Sequence, residues 1–241
     1  MSILHGHILS SLNPPSINTD DTRVQLSHVH YDHVGMPRDF TNPKTTFVVG
    51  HGSLDLLSGT NALNLGKHSV FEADLLPLER TIELPPPPSF VDAPSGGKQA
   101  GGRKWRPLGP SPDAVDFFQD GSVYIVNAPG HLPGHINLLC RLSTSPLKYV
   151  YLAGDACHDI RLFTGERDIA TWKDDTGRHC CMHADIPRAK ETLARLYALS
   201  KDGLRLEGQD GTGDVEVVFA HNYVWDEEAK KQDKFWPGRL S

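Results

Sequence analysis

Runs of basic residues and long hydrophobic segments are both missing from this sequence. The net charge is −6 at pH 7, so the chain has no general attraction for nucleic acid or for an anionic membrane surface. No apolar run approaches the ~20 residues that a membrane-spanning helix needs. The first residues, MSILHGHILSSLNPP, lack the basic and apolar regions of a signal peptide. We therefore expect a soluble, cytoplasmic protein that binds neither nucleic acid nor a membrane.

Cysteine is scarce, and its spacing argues against a disulfide scaffold. The four cysteines, Cys140, Cys157, Cys180 and Cys181, form no CxxC motif, and adjacent Cys180 and Cys181 make a poor disulfide framework. This pattern favours reduced thiols in an intracellular protein, with Cys157 as a buried thiol. The segment RHCCMH (178–183) raises the alternative of a separate metal site. Because no second cluster accompanies it elsewhere, packing or pocket lining is the favoured interpretation.

Length and composition allow one large globular domain or two small ones, with extensive loops. The chain has 241 residues, of which 38% are hydrophobic and 22% are charged, as is ordinary for a protein with a buried core. Residues 84–112 are rich in proline and glycine, which predicts a long surface insertion, either partly disordered or pinned by Trp105. Whether this insertion covers a substrate is left open. We expect a single domain over residues 1–241.

The predicted strands first cluster together and then alternate with a helix. Segment 184–203 carries apolar residues at helical spacing, with Pro187 in its first turn and Gly203 at its end. This order favours a mixed α/β layered protein over a doubly wound parallel sheet. Apolar runs bounded by glycine, proline and aspartate predict strands at 22–29, 44–50, 122–131, 136–142, 148–156 and 215–222.

Four of these predicted strands end in histidine or aspartate residues, whose side chains are common metal ligands. His28 and His30 are two positions apart, so in an extended strand both side chains face the same way and can hold one ion. Imidazole nitrogen and carboxylate oxygen suit zinc, and a carboxylate such as Asp155 can bridge two ions about 3.5–4 Å apart. The sequence therefore predicts a metal centre made by His28, His30, Asp32, His33, His131, Asp155 and His221.

The motifs HxHxDH, APGHLPGH and LAGDA, with a late histidine at a strand end, resemble the metallo-β-lactamase superfamily and within it the lactonase-like branch, including fungal-type lactone and lactam hydrolases. The resemblance covers about residues 20–225, apart from the predicted insertion. It implies an αβ/βα sandwich with mixed sheets and two zinc ions per chain. The implied ligands are His28, His30 and His131 for one ion, Asp32, His33 and His221 for the other, and Asp155 for both.

The same resemblance implies a hydrolase that acts on a small molecule. A hydroxide bridging the two ions would attack the carbonyl of a lactone, lactam or related ester, and Asp32 or a metal-bound water would pass a proton to the leaving group. Lactonases of this branch commonly carry a tyrosine three residues after the bridging aspartate. Here the position is His158, which can donate the same hydrogen bond or act as a general acid. The ligand set also suits iron, manganese or cobalt.

The resemblance departs from the family pattern before the HxHxDH motif. Several strands normally precede that motif, whereas 27 residues precede His28 here. We therefore expect an incomplete first sheet with an exposed edge. Such an edge would make a dimer plausible, although the sequence leaves the oligomeric state open.

Two alternatives to a lactone or lactam hydrolase stay open. One is a thioester hydrolase of the glyoxalase II type, which is disfavoured because no glutathione-binding helical domain is recognised after His221. The other is a truncated, non-catalytic remnant that binds metal weakly or not at all. Around the centre, His135 is interpreted as a structural or orienting residue behind the ligands. His51 and Trp225 are candidates for pocket lining.

Overall fold

Three short parallel strands make the smaller of the two main sheets. They belong to a computed structural model that describes residues 23–59, 71–89, 104–207 and 211–235. The expectation of an incomplete first sheet rests on residues 1–22, which lie outside these ranges. The strands are β1 (Arg23–Gln25), β2 (Thr46–Val49) and β3 (Thr81–Glu83), in the order β1-β2-β3.

Six strands make the larger sheet. In chain order the remaining strands are β4 (Arg106–Leu108), β5 (Ser111–Asp116), β6 (Val123–Asn127), β7 (Ile136–Thr144), β8 (Leu147–Leu152), β9 (Thr171–Lys173), β10 (His179–Cys181) and β11 (Asp214–Val218). Strands β9 and β10 form a separate antiparallel hairpin, and the others are ordered β11-β8-β7-β6-β5-β4. Only β11 and β8 pair in parallel within this sheet. Strands β6, β8 and β11 therefore run in one direction, and their carboxyl ends lie at the same edge.

The described helices are short except for one. They are α1 (Ser53–Leu57), α2 (Ile160–Phe163), α3 (Ile186–Asp202) and α4 (Tyr223–Lys231). Helix α3 is the helix predicted over 184–203. The Asp185 side chain caps it by accepting a hydrogen bond from the Arg188 N–H at 3.0 Å, and Gly203 ends it with a φ of 69°. Within the described ranges, none of the helices has the length and apolar character needed to span a membrane.

The two sheets pack face to face, and α3 covers the outer face of the larger one. Alternate residues of β7 and β8 point to opposite sides, as the period of a strand requires. Leu138 and Val150 join Val48 of the smaller sheet in one buried cluster, whereas Leu139 and Tyr149 join the apolar face of α3 in another. A third cluster packs α1 against the smaller sheet. The predicted mixed α/β sandwich is confirmed.

Part of the segment predicted as an insertion belongs to the larger sheet. Residues 90–103 lie outside the described ranges, but Arg106–Leu108 form β4 and pair with β5. Just before this strand, the Trp105 indole N–H donates to the Pro85 carbonyl at 3.0 Å, and the ring packs against the core between the sheets. The end of the segment is therefore held by sheet pairing and by one buried aromatic ring.

Candidate metal centre

Three imidazoles converge where β1 and β6 lead into loops. The Nε2 atom of His28 lies 3.0 Å from Nδ1 of His30. The Nε2 atom of His131 lies 3.2 Å from His28 Nε2 and 3.0 Å from His30 Nδ1. Each neutral ring nitrogen either donates or accepts, so a closed triangle of three cannot be satisfied by hydrogen bonds alone. Zinc ligands in a tetrahedron lie about 3.3–3.4 Å apart. The triangle therefore has nearly the dimensions of a ligand set around one ion.

A second group of three side chains lies beside the first. The Nε2 atoms of His33 and His221 lie 3.6 and 3.7 Å from the Asp32 carboxylate. Since His221 follows β11 and the other two follow β1, the group joins the two sheets at one edge. Two imidazoles and a carboxylate are again zinc ligands. The ligand atoms of this second group lie farther apart than those of the first group. Asp32 is the most exposed of its three side chains.

The carboxylate of Asp155 faces both groups, one oxygen toward each. Its Oδ2 atom lies 3.7 Å from His28 Nε2 and 3.6 Å from His131 Nε2. Its Oδ1 atom lies 3.1 Å from His33 Nε2 and 3.3 Å from His221 Nε2. Asp155 follows β8, whose carboxyl end lies at the same edge as those of β6 and β11. This is the placement of a carboxylate that bridges two cations.

The histidines of the first group are held in the neutral form that binds metal. Burial lowers the pKa of His28 and His131 well below its ordinary value, and the imidazole of His135 lowers both further. Burial also lowers the pKa of His30. A metal-binding imidazole must be unprotonated. These three rings can therefore bind a divalent cation without first losing a proton.

Asp155 is held as a carboxylate. Burial alone would raise its pKa, but hydrogen bonds from His158, His221 and His33 outweigh burial and hold the pKa well below its usual range. In the second group, the hydrogen bond to Asp155 raises the pKa of His221 against the effect of burial. A buried carboxylate surrounded by imidazoles needs compensating positive charge. Two cations between these groups would supply it.

His135 supports the site from behind. Its Nδ1 atom lies 3.0 Å from the Ala128 carbonyl, and its Nε2 atom accepts a hydrogen bond from the Asp155 backbone N–H at 3.1 Å. Both contacts require the neutral ring with the proton on Nδ1. Gly154 has a φ of 48°, and a Cβ atom there would lie 3.0 Å from His135 Nε2. The contacts agree with the interpretation of His135 as an orienting residue.

Two further histidines lie at the centre. His158, predicted from its position, places Nε2 3.1 Å from Asp155 Oδ2, and its ring stacks on that of His221 at a centroid distance of 5.2 Å. His183 is buried, with its ring 5.3 Å from the rings of His131 and His158. The sequence did not single out His183, because its place depends on hydrogen bonds from residues 184 and 185 to the loop at 130–131.

The remaining candidates lie outside the ligand groups. Of the segment RHCCMH, only His183 belongs to a metal-sized group within the described ranges, and neither Cys180 nor Cys181 does. Cys157 is a buried thiol whose pKa burial raises to about 11. The Trp225 indole N–H donates to Glu216 at 2.8 Å, and the ring packs against the core between the sheets.

His51 has a partner away from the centre. Its Nδ1 atom lies 3.9 Å from the Glu83 carboxylate. That carboxylate also accepts hydrogen bonds from the Gly52 and Leu54 backbone N–H groups, at 3.1 and 2.9 Å, where α1 begins. Within the described residues, His51 belongs to none of the metal-sized groups.

The chain is similar in sequence to several fungal proteins that carry different names. No family model matches the chain. It is 29% identical over 229 residues to cytochrome P450 monooxygenase mpaDE of Penicillium brevicompactum, an alignment that covers 92% of this chain and 24% of that protein. It is 30% identical over 158 residues to gamma-lactamase MBL2 of Gibberella moniliformis, covering 63% of this chain and 56% of that one. The chain thus spans about a quarter of the first relative and about half of the second.

Solved structures give the fold. An N-acyl homoserine lactone hydrolase, with the product N-hexanoyl-L-homoserine at its catalytic metal centre, matches with a TM-score of 0.51 and 18% identity. The match covers 92% of this chain and 63% of that structure. Such lactonases have the metallo-β-lactamase fold. Together with the paired sheets and the edge where the strand ends meet, this likeness shows that the chain has the metallo-β-lactamase fold, as the motifs predicted.

Proposed function

We propose that this chain is a hydrolase that binds two divalent cations, zinc foremost, and cleaves a lactone, a lactam or a related ester. The observation that carries the proposal is the position of Asp155, which directs one carboxylate oxygen to each of two three-residue ligand groups. The names of similar proteins support it, since one is called a gamma-lactamase and another is an N-acyl homoserine lactone hydrolase. The partner in the reaction is a small molecule.

Each group would hold one cation. When bound, the cations supply an acidified water molecule as nucleophile and positive charge beside the carbonyl oxygen. His28, His30 and His131 would hold the first cation, in the loops that follow β1 and β6. Asp32, His33 and His221 would hold the second. Asp155 would fix the distance between the cations.

The reaction needs a proton on the leaving group. Water adds to the carbonyl carbon, the bond from that carbon to the ring oxygen or nitrogen breaks, and a proton from water ends on the departing atom. Asp32 is suited to carry this proton, since its side chain is 35% exposed while those of His33 and Asp155 are 3% exposed. His158 lies on the side of the first group and would contact the substrate there.

The two alternatives make different predictions. A thioester hydrolase would use the same cations, so only a substrate panel separates it from a lactone or lactam hydrolase. A non-catalytic remnant would bind metal weakly. The metal-like separation of the nitrogens of His28, His30 and His131 favours a binding-competent site over a remnant.

The test is hydrolysis of an acyl homoserine lactone, a γ-lactam and an acyl thioester before and after chelation. We expect turnover of the lactone or the lactam, its loss on chelation, and its recovery with two equivalents of zinc. His131→Ala should lower the rate more than about 100-fold, since even residues that only orient a ligand contribute 10–100-fold. His179→Ala, an exposed histidine of β10, is the matched control. Turnover that survives both chelation and His131→Ala would refute the proposal, and turnover of the thioester alone would replace it with the alternative.

A further inference from the structure

A serine hydroxyl stands directly behind one ligand of the first group. Ser27 precedes His28 in the loop after β1, and its Oγ atom lies 3.2 Å from Nδ1 of His28. The other ring nitrogen of His28, Nε2, is the one that faces His30 and His131. Ser27 is buried, and His28 is 0% exposed. The hydroxyl therefore contacts the ring nitrogen that the proposed cation does not use.

The backbone around Ser27 is tied to both sheets. The Leu26 N–H donates to the Val48 carbonyl of β2 at 3.0 Å, and the Ser27 carbonyl accepts from the Ile136 N–H of β7 at 2.8 Å. Strand β2 belongs to the smaller sheet and β7 to the larger. The hydroxyl is thus in place before any cation binds, so little freedom is lost when it orients a ligand.

Metal binding decides which nitrogen of His28 carries the proton. A cation on Nε2 requires that atom to be unprotonated, so the proton of the neutral ring lies on Nδ1. Nδ1 then donates, and the Ser27 Oγ atom at 3.2 Å is an acceptor within hydrogen-bond distance. A hydroxyl also has a proton to donate, so it can pair with the same nitrogen in the other tautomer. The Ser27 hydroxyl therefore matches His28 with and without a cation.

His28 is both better supported and more central than His131. The Nδ1 atom of His131 is buried and has no hydrogen-bond partner within the described residues. The His28 ring lies 4.7 Å from the ring of His131 and 4.1 Å from that of His33, which belongs to the second ligand group. A turn of the His28 ring would therefore disturb its contacts with both groups. The hydrogen bond with Ser27 opposes such a turn.

We propose that Ser27 is a positioning residue of the metal centre, whose hydroxyl accepts the Nδ1–H of His28 and holds Nε2 toward the first cation. This inference rests on the proposed function, because the first group must hold a cation. Ser27 acts through His28 and not on the substrate. Partners that orient a metal-bound imidazole contribute about 10–100-fold to metal affinity, so removal of the hydroxyl should cause a loss of that size.

Zinc affinity, measured by competition with a chromophoric chelator, tests this role. Ser27→Ala should lower the affinity about 10–100-fold, because the buried Nδ1–H of His28 loses its acceptor. Ser27→Thr keeps a hydroxyl and should recover most of the affinity. Ser53→Ala is the matched control, since Ser53 is 0% exposed and its hydroxyl has no hydrogen-bond partner in the described part of the chain. It should bind zinc as the wild type does.

Proton NMR of the zinc-loaded protein reports on the hydrogen bond itself. The Nδ1–H of His28 should give a downfield resonance that exchanges slowly with water. This resonance should move upfield and exchange faster in Ser27→Ala, and keep its position in Ser27→Thr and Ser53→Ala. A Ser27→Ala protein that matches Ser53→Ala in affinity and in this resonance would overturn the proposal. Equal losses of affinity in Ser27→Ala and Ser27→Thr, with the resonance unmoved in both, would also overturn it.

The outcomes separate this inference from the proposed function. If zinc affinity depends on Ser27 as expected but no lactone, lactam or thioester is hydrolysed, the positioning role stands and the proposed function fails. If a lactone or lactam is hydrolysed and Ser27→Ala keeps its zinc affinity, the proposed function stands and the positioning role fails. A wild-type protein that binds no zinc overturns both.

Discussion

The Nε2 atom of His135 accepts a hydrogen bond from the backbone N–H of Asp155 at 3.1 Å, although 20 residues separate the two in the chain. The other ring nitrogen is anchored at the Ala128 carbonyl, just after β6. One buried imidazole thus ties the end of β6 to the loop after β8. It fixes the backbone that carries the carboxylate facing both ligand groups.

Replacing His135 should weaken metal binding without removing a ligand. In His135→Phe the Asp155 N–H loses its acceptor, so the carboxylate is less well oriented, and we expect metal affinity to fall about 10–100-fold. Competition with a chromophoric chelator measures this affinity. His179→Phe on exposed β10 is the control and should bind as wild type does. Unchanged affinity in a folded His135→Phe protein would mean that other contacts hold Asp155.

The metal-free protein should lose stability as the pH falls below about 6.5. Burial lowers the pKa of His135 to about 3 and that of His183 to about 4, so both stay neutral while the unfolded chain takes up protons. The unfolded state then binds more protons, and the free energy of unfolding falls as the pH falls. At about pH 5, roughly 1.5 pH units below the ordinary histidine pKa, each of these two residues lowers the free energy of unfolding by about 2 kcal/mol.

Urea denaturation of chelator-treated protein between about pH 7.5 and about pH 5 measures this loss. Burial also lowers the pKa of His28, His30 and His131, so these rings contribute to the same loss. His183→Gln removes one contribution and should reduce the loss at about pH 5 by about 2 kcal/mol. A variant that keeps the full wild-type dependence would contradict the assignment to His183. An unfolding free energy that does not change over this range would contradict it for both residues.

Gly130 should tolerate no side chain. Its φ is 127°, and a Cβ atom would lie 2.3 Å from the Ala189 backbone nitrogen in α3. Gly130→Ala should cost about 3 kcal/mol or more, through strain and a clash with backbone. Gly165→Ala is the matched control, because Gly165 has a φ of 77° and a Cβ there would contact nothing within 4 Å. That change should cost about 1–2 kcal/mol. Equal losses in urea denaturation would show that the close approach to α3 contributes nothing.

Much of the fold was predictable because its signals are local. The strand leading to Asp155 and the helix over 184–203 show apolar periods with clear ends, and both are observed. The strand predicted over 22–29 ends at Gln25, so His28 and His30 lie in a loop and do not face the same way because of a strand period. The ligand histidines still follow the strands within a few residues, so their clustering follows once strand ends share an edge. Strand β4 was not predicted, because its three residues, Arg106–Leu108, carry no apolar pattern. They form a strand by pairing with β5.

His183 was not predictable for a different reason. It lies 52 residues beyond His131 in the sequence and approaches it through backbone hydrogen bonds of Ala184 and Asp185 with the loop at 130–131. Backbone groups are the same at every non-proline residue, so sequence carries no mark of such pairing. The neighbouring Cys180 and Cys181 drew attention to the segment as a possible metal site, while the residue that reaches the centre is the histidine.

The most direct test of the account is the zinc content per folded chain of protein purified without chelator, measured by elemental mass spectrometry. We predict two equivalents in the wild type, about one in His30→Ala and in His221→Ala, and less than one in Asp155→Ala, since that carboxylate faces both groups. Asp159→Ala, which removes a surface carboxylate paired with Arg161, should retain two. A folded wild-type protein with far less than one equivalent, or an Asp155→Ala variant that keeps two, would contradict a dinuclear centre bridged by Asp155.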